Sequence, residues 1–273
     1  MEIRKPAYAG SFYSADQSVL SSQIDRFIAN ASLKNAVTAV TAIVAPHAGY
    51  IYSGPVAAYS YAAIKDRSYD VVIILAPSHR AHFDSFCTMP SGSYETPFGL
   101  IPIDENIAKR IHDSKLGGYS RGIDQMEHSL EVQLPFLQKT IGMFSLVPVI
   151  IGTTEFNICR EIAQSIFETI KDEKRSILIV ISTDLSHYHT YEQAKHLDGR
   201  FKDMLEKFDE KLLFDLLSHD DAEACGEGPL LTGMVLAKLC GAKKSIVLNY
   251  ANSGDTAGDK KQVVGYISAV FTE

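Results

Sequence analysis

Apolar residues along this chain fall into two kinds of run. Short, nearly uninterrupted runs at 42–45, 70–76, 145–151 and 176–183 read as strands buried on both faces, because a strand with one face in water would alternate. Longer stretches carry apolar residues at helical spacing, as with Leu20, Ile24, Phe27 and Ile28 in 17–28, and again over 104–112 and 155–171; these read as helices. The first strand is expected over 37–45, followed by a helix over 55–65 with Pro55 in its first turn. A short strand is expected at 86–89, a hairpin or loop at 91–104, and a helix opening at 127–128 that Pro135 bends or interrupts. The 191–241 stretch is helical with a break at Gly228-Pro229, and strands close the chain at 245–250 and 265–271. Strands alternating with helices predict an α/β, αβα sandwich whose mainly parallel central sheet is covered on both faces, with antiparallel additions near Phe86 and at the C-terminus. No repeat, low-complexity tract or linker divides residues 1–273, so one domain is expected.

Composition narrows the class. Hydrophobic residues make up 46% and charged residues 22% of the 273, the balance of an ordinary globular protein. A net charge of −7 with nine neutral histidines gives no basic surface for phosphate backbones, so nucleic acid is not the expected partner. The opening residues, with Glu2, Arg4, Lys5 and Pro6, lack the apolar core of a secretory signal. No apolar run approaches the ~20 residues needed to span a bilayer. A soluble, cytoplasmic protein without membrane association is expected. Cys87, Cys159, Cys225 and Cys240 show no CxxC spacing and are expected as reduced thiols.

The chemistry gathers at strand ends. The first buried run stops at Pro46-His47-Ala48-Gly49, the second at Pro77-Ser78-His79-Arg80, and the fourth at Asp184-Leu185-Ser186-His187-Tyr188-His189. Ligands in open α/β sheets bind beyond the carboxyl ends of the strands. If the three strands are parallel, His47, His79, Asp184 and His187 converge on one sheet edge. Two neutral imidazoles with one anionic ligand leave positions open for substrate, which is the composition of a catalytic metal site. Any one of these histidines alone reads more readily as a hydrogen-bonded loop residue; three at separate strand ends favour a site. Tyr50 and Tyr52 are expected to wall the pocket. His82, His189 and His196 are weaker candidates, and His112 and His219 sit in surface-like helical contexts.

Four segments, PHAGYIYSGPVAAYSY at 46–61, LAPSHR at 75–80, EHSLEVQLPFL at 127–137 and STDLSHY at 182–188, together resemble the Memo family, and KPAYAGSFY at 5–13 is similar to that family's usual start. The resemblance covers nearly the whole chain. It implies a fold similar to the class III extradiol ring-cleaving dioxygenases, which hold non-haem iron(II) with two histidines and a carboxylate. On that pattern His47 and His79 match the metal-binding histidines, His187 the acid/base histidine, and Asp184 a carboxylate that ligates or orients. The third ligand departs from the dioxygenases: Cys225 stands where they carry glutamate. A thiolate shifts preference among divalent transition metals and copper from iron(II) toward zinc or copper(I) without excluding iron(II). Cys225 also reads as a small buried hydrophobe, and its neighbours Glu223 and Glu227 offer carboxylates instead. Glu127 reads either as a residue that orients a metal-bound histidine or moves a proton, or as a carboxylate placed at a helix N-terminus.

The resemblance implies two kinds of function. One is a metal-dependent oxidoreductase acting on a small organic substrate. The other is a non-catalytic binding or adaptor protein, taking a small molecule or peptide in the same pocket or working beside AMMECR-type and radical SAM proteins.

Overall fold

The structure is a computed structural model that describes residues 2–33 and 37–273. Its large sheet runs in the order Lys244–Asn252, Val263–Thr272, Val40–Ala45, Ile177–Ser182, Val71–Pro77, Ser145–Ile151 and Phe86–Cys87. The middle four strands, from Val40–Ala45 to Ser145–Ile151, are parallel. Their outer neighbours are antiparallel, where the sequence placed antiparallel additions. The 91–104 segment forms a hairpin, Ser93–Thr96 with Gly99–Pro102, which joins Ile3–Arg4 in a separate three-stranded sheet.

Both faces of the parallel strands are buried, and alternate residues serve different layers. Ile43, Val72, Ile74, Leu178 and Val180 point into one core with the helices Gln17–Asn30, Tyr50–Ile64 and Gln133–Thr140. Val44, Ile73, Leu75, Ile179 and Ile181 point into the other, with Phe156–Ile170, Tyr191–Lys207, Glu210–Ser218 and Glu227–Leu239. This is the αβα sandwich expected from runs without alternation. No helix among the described residues is long and apolar enough to cross a membrane.

Several boundaries differ from the sequence reading, each for a local reason. The first strand begins at Val40 rather than 37, because Ala39 turns into the left-handed region with φ 48°. The next helix is Tyr50–Ile64 and carries Pro55 inside it rather than in its first turn. The hydrogen bond that Pro55 forgoes falls on the carbonyl of Ile51, an exposed residue whose oxygen water can satisfy. After Glu127 there are two helices, His128–Glu131 and Gln133–Thr140, parted at Val132. Pro135 lacks the N–H that would bond to the Glu131 carbonyl, so the helix breaks upstream and Pro135 falls in the first turn of the second, where it costs nothing. Gly228-Pro229 likewise opens the helix Glu227–Leu239 instead of breaking one. His187–His189, expected as loop, pairs antiparallel with Val263–Thr272.

An N-terminal arm is fastened across the site end of the sandwich. The Arg4 guanidinium pairs with Glu131 inside the protein, and Glu131 also accepts from the Ala7 and Tyr8 backbone N–H groups and the Tyr13 hydroxyl. Arg4 further donates to the carbonyls of Asp124 and Glu127.

Candidate metal centre

The three strand tips meet because their strands are parallel and in register. Ala45 faces Ser182 across the sheet, and the Thr183 N–H donates to the Ala45 carbonyl. His47, 2% exposed, is held on both sides. Its backbone N–H donates to Asp184 Oδ1 at 2.8 Å, and its ring Nδ1 lies 2.8 Å from Ser182 Oγ. The Ser182 hydroxyl donates to the Ser129 carbonyl at 2.7 Å and accepts from Gln133 Nε2 at 2.8 Å. With its proton committed to Ser129, Ser182 accepts from His47 Nδ1–H, and the lone pair of His47 is therefore on Nε2. That nitrogen points at Cys225 Sγ, 3.0 Å away, and lies 3.9 Å from Asp184 Oδ2.

His79 is oriented by Glu127 in the same manner. One carboxylate oxygen accepts from the His79 backbone N–H and the other from its ring Nδ1, both at 2.8 Å, and the Ser129 N–H adds a third bond at 3.0 Å. Burial alone would raise the Glu127 pKa, but these hydrogen bonds outweigh it and hold the carboxylate at about 2. Glu127 is thus ionised and fixes the His79 tautomer with Nε2 free, the usual arrangement behind a metal-bound histidine. The same Glu127 side chain also caps the helix His128–Glu131, so the carboxylate that orients His79 sits at a helix N-terminus. Glu127→Gln is expected to weaken metal binding by roughly 10–100-fold, read by competition with a chromogenic chelator.

Cys225 precedes the helix Glu227–Leu239. Its N–H donates to the Asp184 carbonyl and its sulfur accepts from the Asp184 N–H, both at 3.2 Å. Gly226 lets the two segments close up: a Cβ there would meet Ser182 O at 2.4 Å and Thr183 Cβ at 2.5 Å. Burial and then the Asp184 charge push the Cys225 thiol well above its ordinary value, so only a bound cation would make it a thiolate. Burial also brings Asp184 up to about 7 against hydrogen bonds from the His47 and Ala48 backbone. His47 is pushed well down by burial and by the neighbouring His79, His128 and His187 rings. Kept neutral in this way, the His47 imidazole presents a lone pair instead of positive charge.

Two sets of donor atoms lie within 4.8 Å of one another: His47, His79 and His128, and His47, Asp184 and Cys225. The donor chemistry suits a transition metal. A cavity of about 340 Å³ opens beside them, lined by His79, Arg80, His82, Thr153, Cys225 and Pro229 among others.

The family model for Memo-like proteins matches residues 4–270. The chain belongs to the Memo family. It is 37% identical over 282 residues to a MEMO1 family protein of Sulfolobus acidocaldarius, covering 98% of this chain and 99% of the relative. MEMO1 family proteins of Saccharolobus islandicus (37% over 281 residues) and Methanobrevibacter smithii (34% over 280) match with the same coverage.

Within this Memo-family fold the remaining candidates separate by position. His187 stands beside the donors without joining either set; Nδ1 donates to the Leu185 carbonyl at 2.7 Å, which leaves Nε2 free. Burial lowers its pKa. Its loop is tied down by paired backbone bonds of Leu185 and Ser186 with Gly265. Glu223 is taken by His189, 2.7 Å away, and by the His187 N–H. Glu227 lies in the first turn of its helix, where burial and Glu155 raise it to about 7. Neither glutamate joins the donor sets. His82 faces Asp84 among exposed residues, and Tyr50 is a core residue whose hydroxyl donates to the Val132 carbonyl. Tyr50 therefore does not wall the pocket. Cys87 and Cys159 are buried and Cys240 half-buried, all three unpaired.

Sequence reasoning overlooked His128 as a donor, along with the Ser182–Gln133 pair behind His47. His128 was legible only as the neighbour of Glu127. Its ring reaches the cluster from the first position of the short helix, stacked against His79 with ring centroids 4.5 Å apart.

Proposed function

We propose that this protein is a metal-dependent oxidoreductase of dioxygenase-like type, acting on a small organic molecule admitted to the strand-end cavity. The observation that carries the reading is His47 Nε2: a buried imidazole whose other nitrogen is committed to Ser182, and whose lone pair faces Cys225 and Asp184. His47, His79 and Cys225 would hold iron(II), zinc or copper, and the ion would supply Lewis acidity or a site for oxygen. Ser182 and Glu127 keep the two lone pairs aimed. His187, with Nε2 free beside the donors, moves a proton to or from the bound molecule, and Asp184 holds the His47 segment in place.

The test is metal analysis of protein purified without air, followed by oxygen uptake with candidate catechols. Turnover that falls about 100-fold in His187→Ala, with metal content unchanged, supports the assignment. No uptake with any substrate by metal-loaded protein counts against the oxidoreductase. One observation favours a second reading, a binding or adaptor role: a cysteine replaces the carboxylate that iron(II) dioxygenases use. In that case ligands, peptides or AMMECR-type and radical SAM partners would bind at the pocket with equal strength whether or not His187 is present.

A further inference from the structure

His187 is oriented by a peptide group, and that peptide group is itself held from behind. The His187 Nδ1–H donates to the Leu185 carbonyl at 2.7 Å. On the far side of the same peptide unit, the Ser186 N–H donates to Asp198 Oδ1 at 3.1 Å. A trans peptide is planar and points its N–H and C=O in opposite directions, so the two bonds sit at the two ends of one rigid plate. Fixing the N–H therefore fixes the carbonyl, and with it the imidazole ring.

Asp198 is a costly residue to place here. It lies on the helix Tyr191–Lys207, is fully buried, and pairs with no cation among the described residues. A buried carboxylate without a counter-ion is tolerated only when its oxygens are filled by donors. Both are filled: Oδ1 by the Ser186 N–H, and Oδ2 by the Tyr250 hydroxyl at 2.7 Å, from the strand Lys244–Asn252. The next strand leaves room for it, since a Cβ on Gly265 would lie 2.1 Å from Asp198 Oδ2. The Gly265 backbone also holds both flanks of the plate. Its carbonyl accepts from the Leu185 N–H at 2.8 Å, and its N–H donates to the Ser186 carbonyl at 2.9 Å. An apolar side chain would join helix to sheet at less cost; only an acceptor holds the Ser186 N–H.

We propose that Asp198 is a positioning residue for His187, acting through the Leu185–Ser186 peptide: carboxylate, peptide plate and imidazole form a relay that keeps the ring proton on Nδ1 and the Nε2 lone pair free. The proposal rests on His187 as the residue that moves a proton. Asp198 does for His187 what Glu127 does for His79, with one peptide group interposed. Hydrogen bonds in series polarise one another, so the acceptor at the N–H end strengthens the carbonyl's hold on Nδ1–H.

The experiment reads the His187 tautomer by nitrogen NMR of the metal-free, full-length protein labelled at its histidine nitrogens. It is run at about pH 8, where a histidine is neutral, and the His187 signals are assigned by their loss in His187→Gln. Wild type should show a protonated Nδ1 and a bare Nε2. In Asp198→Ala the two signals should move toward each other as the Nε2-protonated form appears, while those of His47 stay in place. Asp198→Asn should restore the wild-type pattern, because its carbonyl oxygen accepts from Ser186 and its amide donates to Tyr250. In metal-loaded protein, kcat for a catechol that the wild type turns over should fall about 10-fold in Asp198→Ala, with KM and metal content unchanged. An unmoved His187 pattern in folded Asp198→Ala would mean that Asp198 merely ties the helix to the sheet, and would overturn the proposal. Wild type carrying its proton on Nε2 would overturn it equally. If Asp198→Ala fails to fold, Gly265→Ala takes its place, the added methyl displacing the carboxylate, with the same expectation and the same refutation. A shifted tautomer supports the relay even where metal-loaded wild type consumes no oxygen, a result that counts only against the oxidoreductase.

Discussion

His47→Ala is expected to fold and to retain no metal through purification without air. Both donor sets contain His47, so no alternative arrangement of the remaining donors replaces it. Removing a group that merely supports a ligand costs 10–100-fold in affinity, and removing the shared ligand should exceed the upper end of that range, beyond about 100-fold. The fold should survive because Ser182, which loses its bond from His47, keeps Ser129 and Gln133 as partners. A cavity and one weakened bond should cost a few kcal/mol at most. Metal content by mass spectrometry and the melting temperature of the metal-free protein check both halves. Stoichiometric metal in the variant would sink the assignment of the centre.

Glu131→Ala should have the largest effect on stability, about 3–5 kcal/mol. It strips Arg4, which is 2% exposed, of its close carboxylate partner and leaves the buried guanidinium only Asp124, 4.0 Å away. Two backbone N–H groups and the Tyr13 hydroxyl lose their acceptor as well. These groups all belong to the N-terminal arm, so the arm should detach before the sandwich unfolds. Urea denaturation measures the loss. Limited proteolysis that cuts the variant within residues 2–16 faster than the wild type would locate it. Freed of the arm, His128 would lose the Tyr8 and Phe12 rings that back it, and metal affinity should fall with it. A variant as stable as the wild type, with an uncut arm, would show that the buried pair contributes little.

The strands were legible because doubly buried strands must be apolar without alternation, and residues 70–76, 145–151 and 176–183 say so directly. The proline positions were harder to read. Pro135 breaks a helix at Val132, three residues upstream, because the bond it cannot make belongs to the Glu131 carbonyl; Pro55 breaks nothing, and the residue whose carbonyl it leaves, Ile51, is exposed where Glu131 is buried. Sequence marks the residue, and the accessibility of its partner decides the outcome. Likewise Glu223 and Glu227 flank Cys225 in the chain yet face His189 and Glu155 in space. Near-neighbours along a loop and helix start project in different directions.

Sequence alone determined that three histidine-bearing strand ends would share an edge: uninterrupted apolar runs imply parallel, covered strands, and parallel strands end together. The family pattern then marked His47, His79, Asp184, His187 and Cys225. Tertiary structure alone decided which nitrogen of His47 is free, that Glu127 is spent on His79, and that His128 stands among the donors. Those facts depend on hydrogen bonds between residues 47 and 182, 79 and 127, and 129 and 182. Such bonds are set by angles and by tenths of an ångström, and no periodicity along a chain records them.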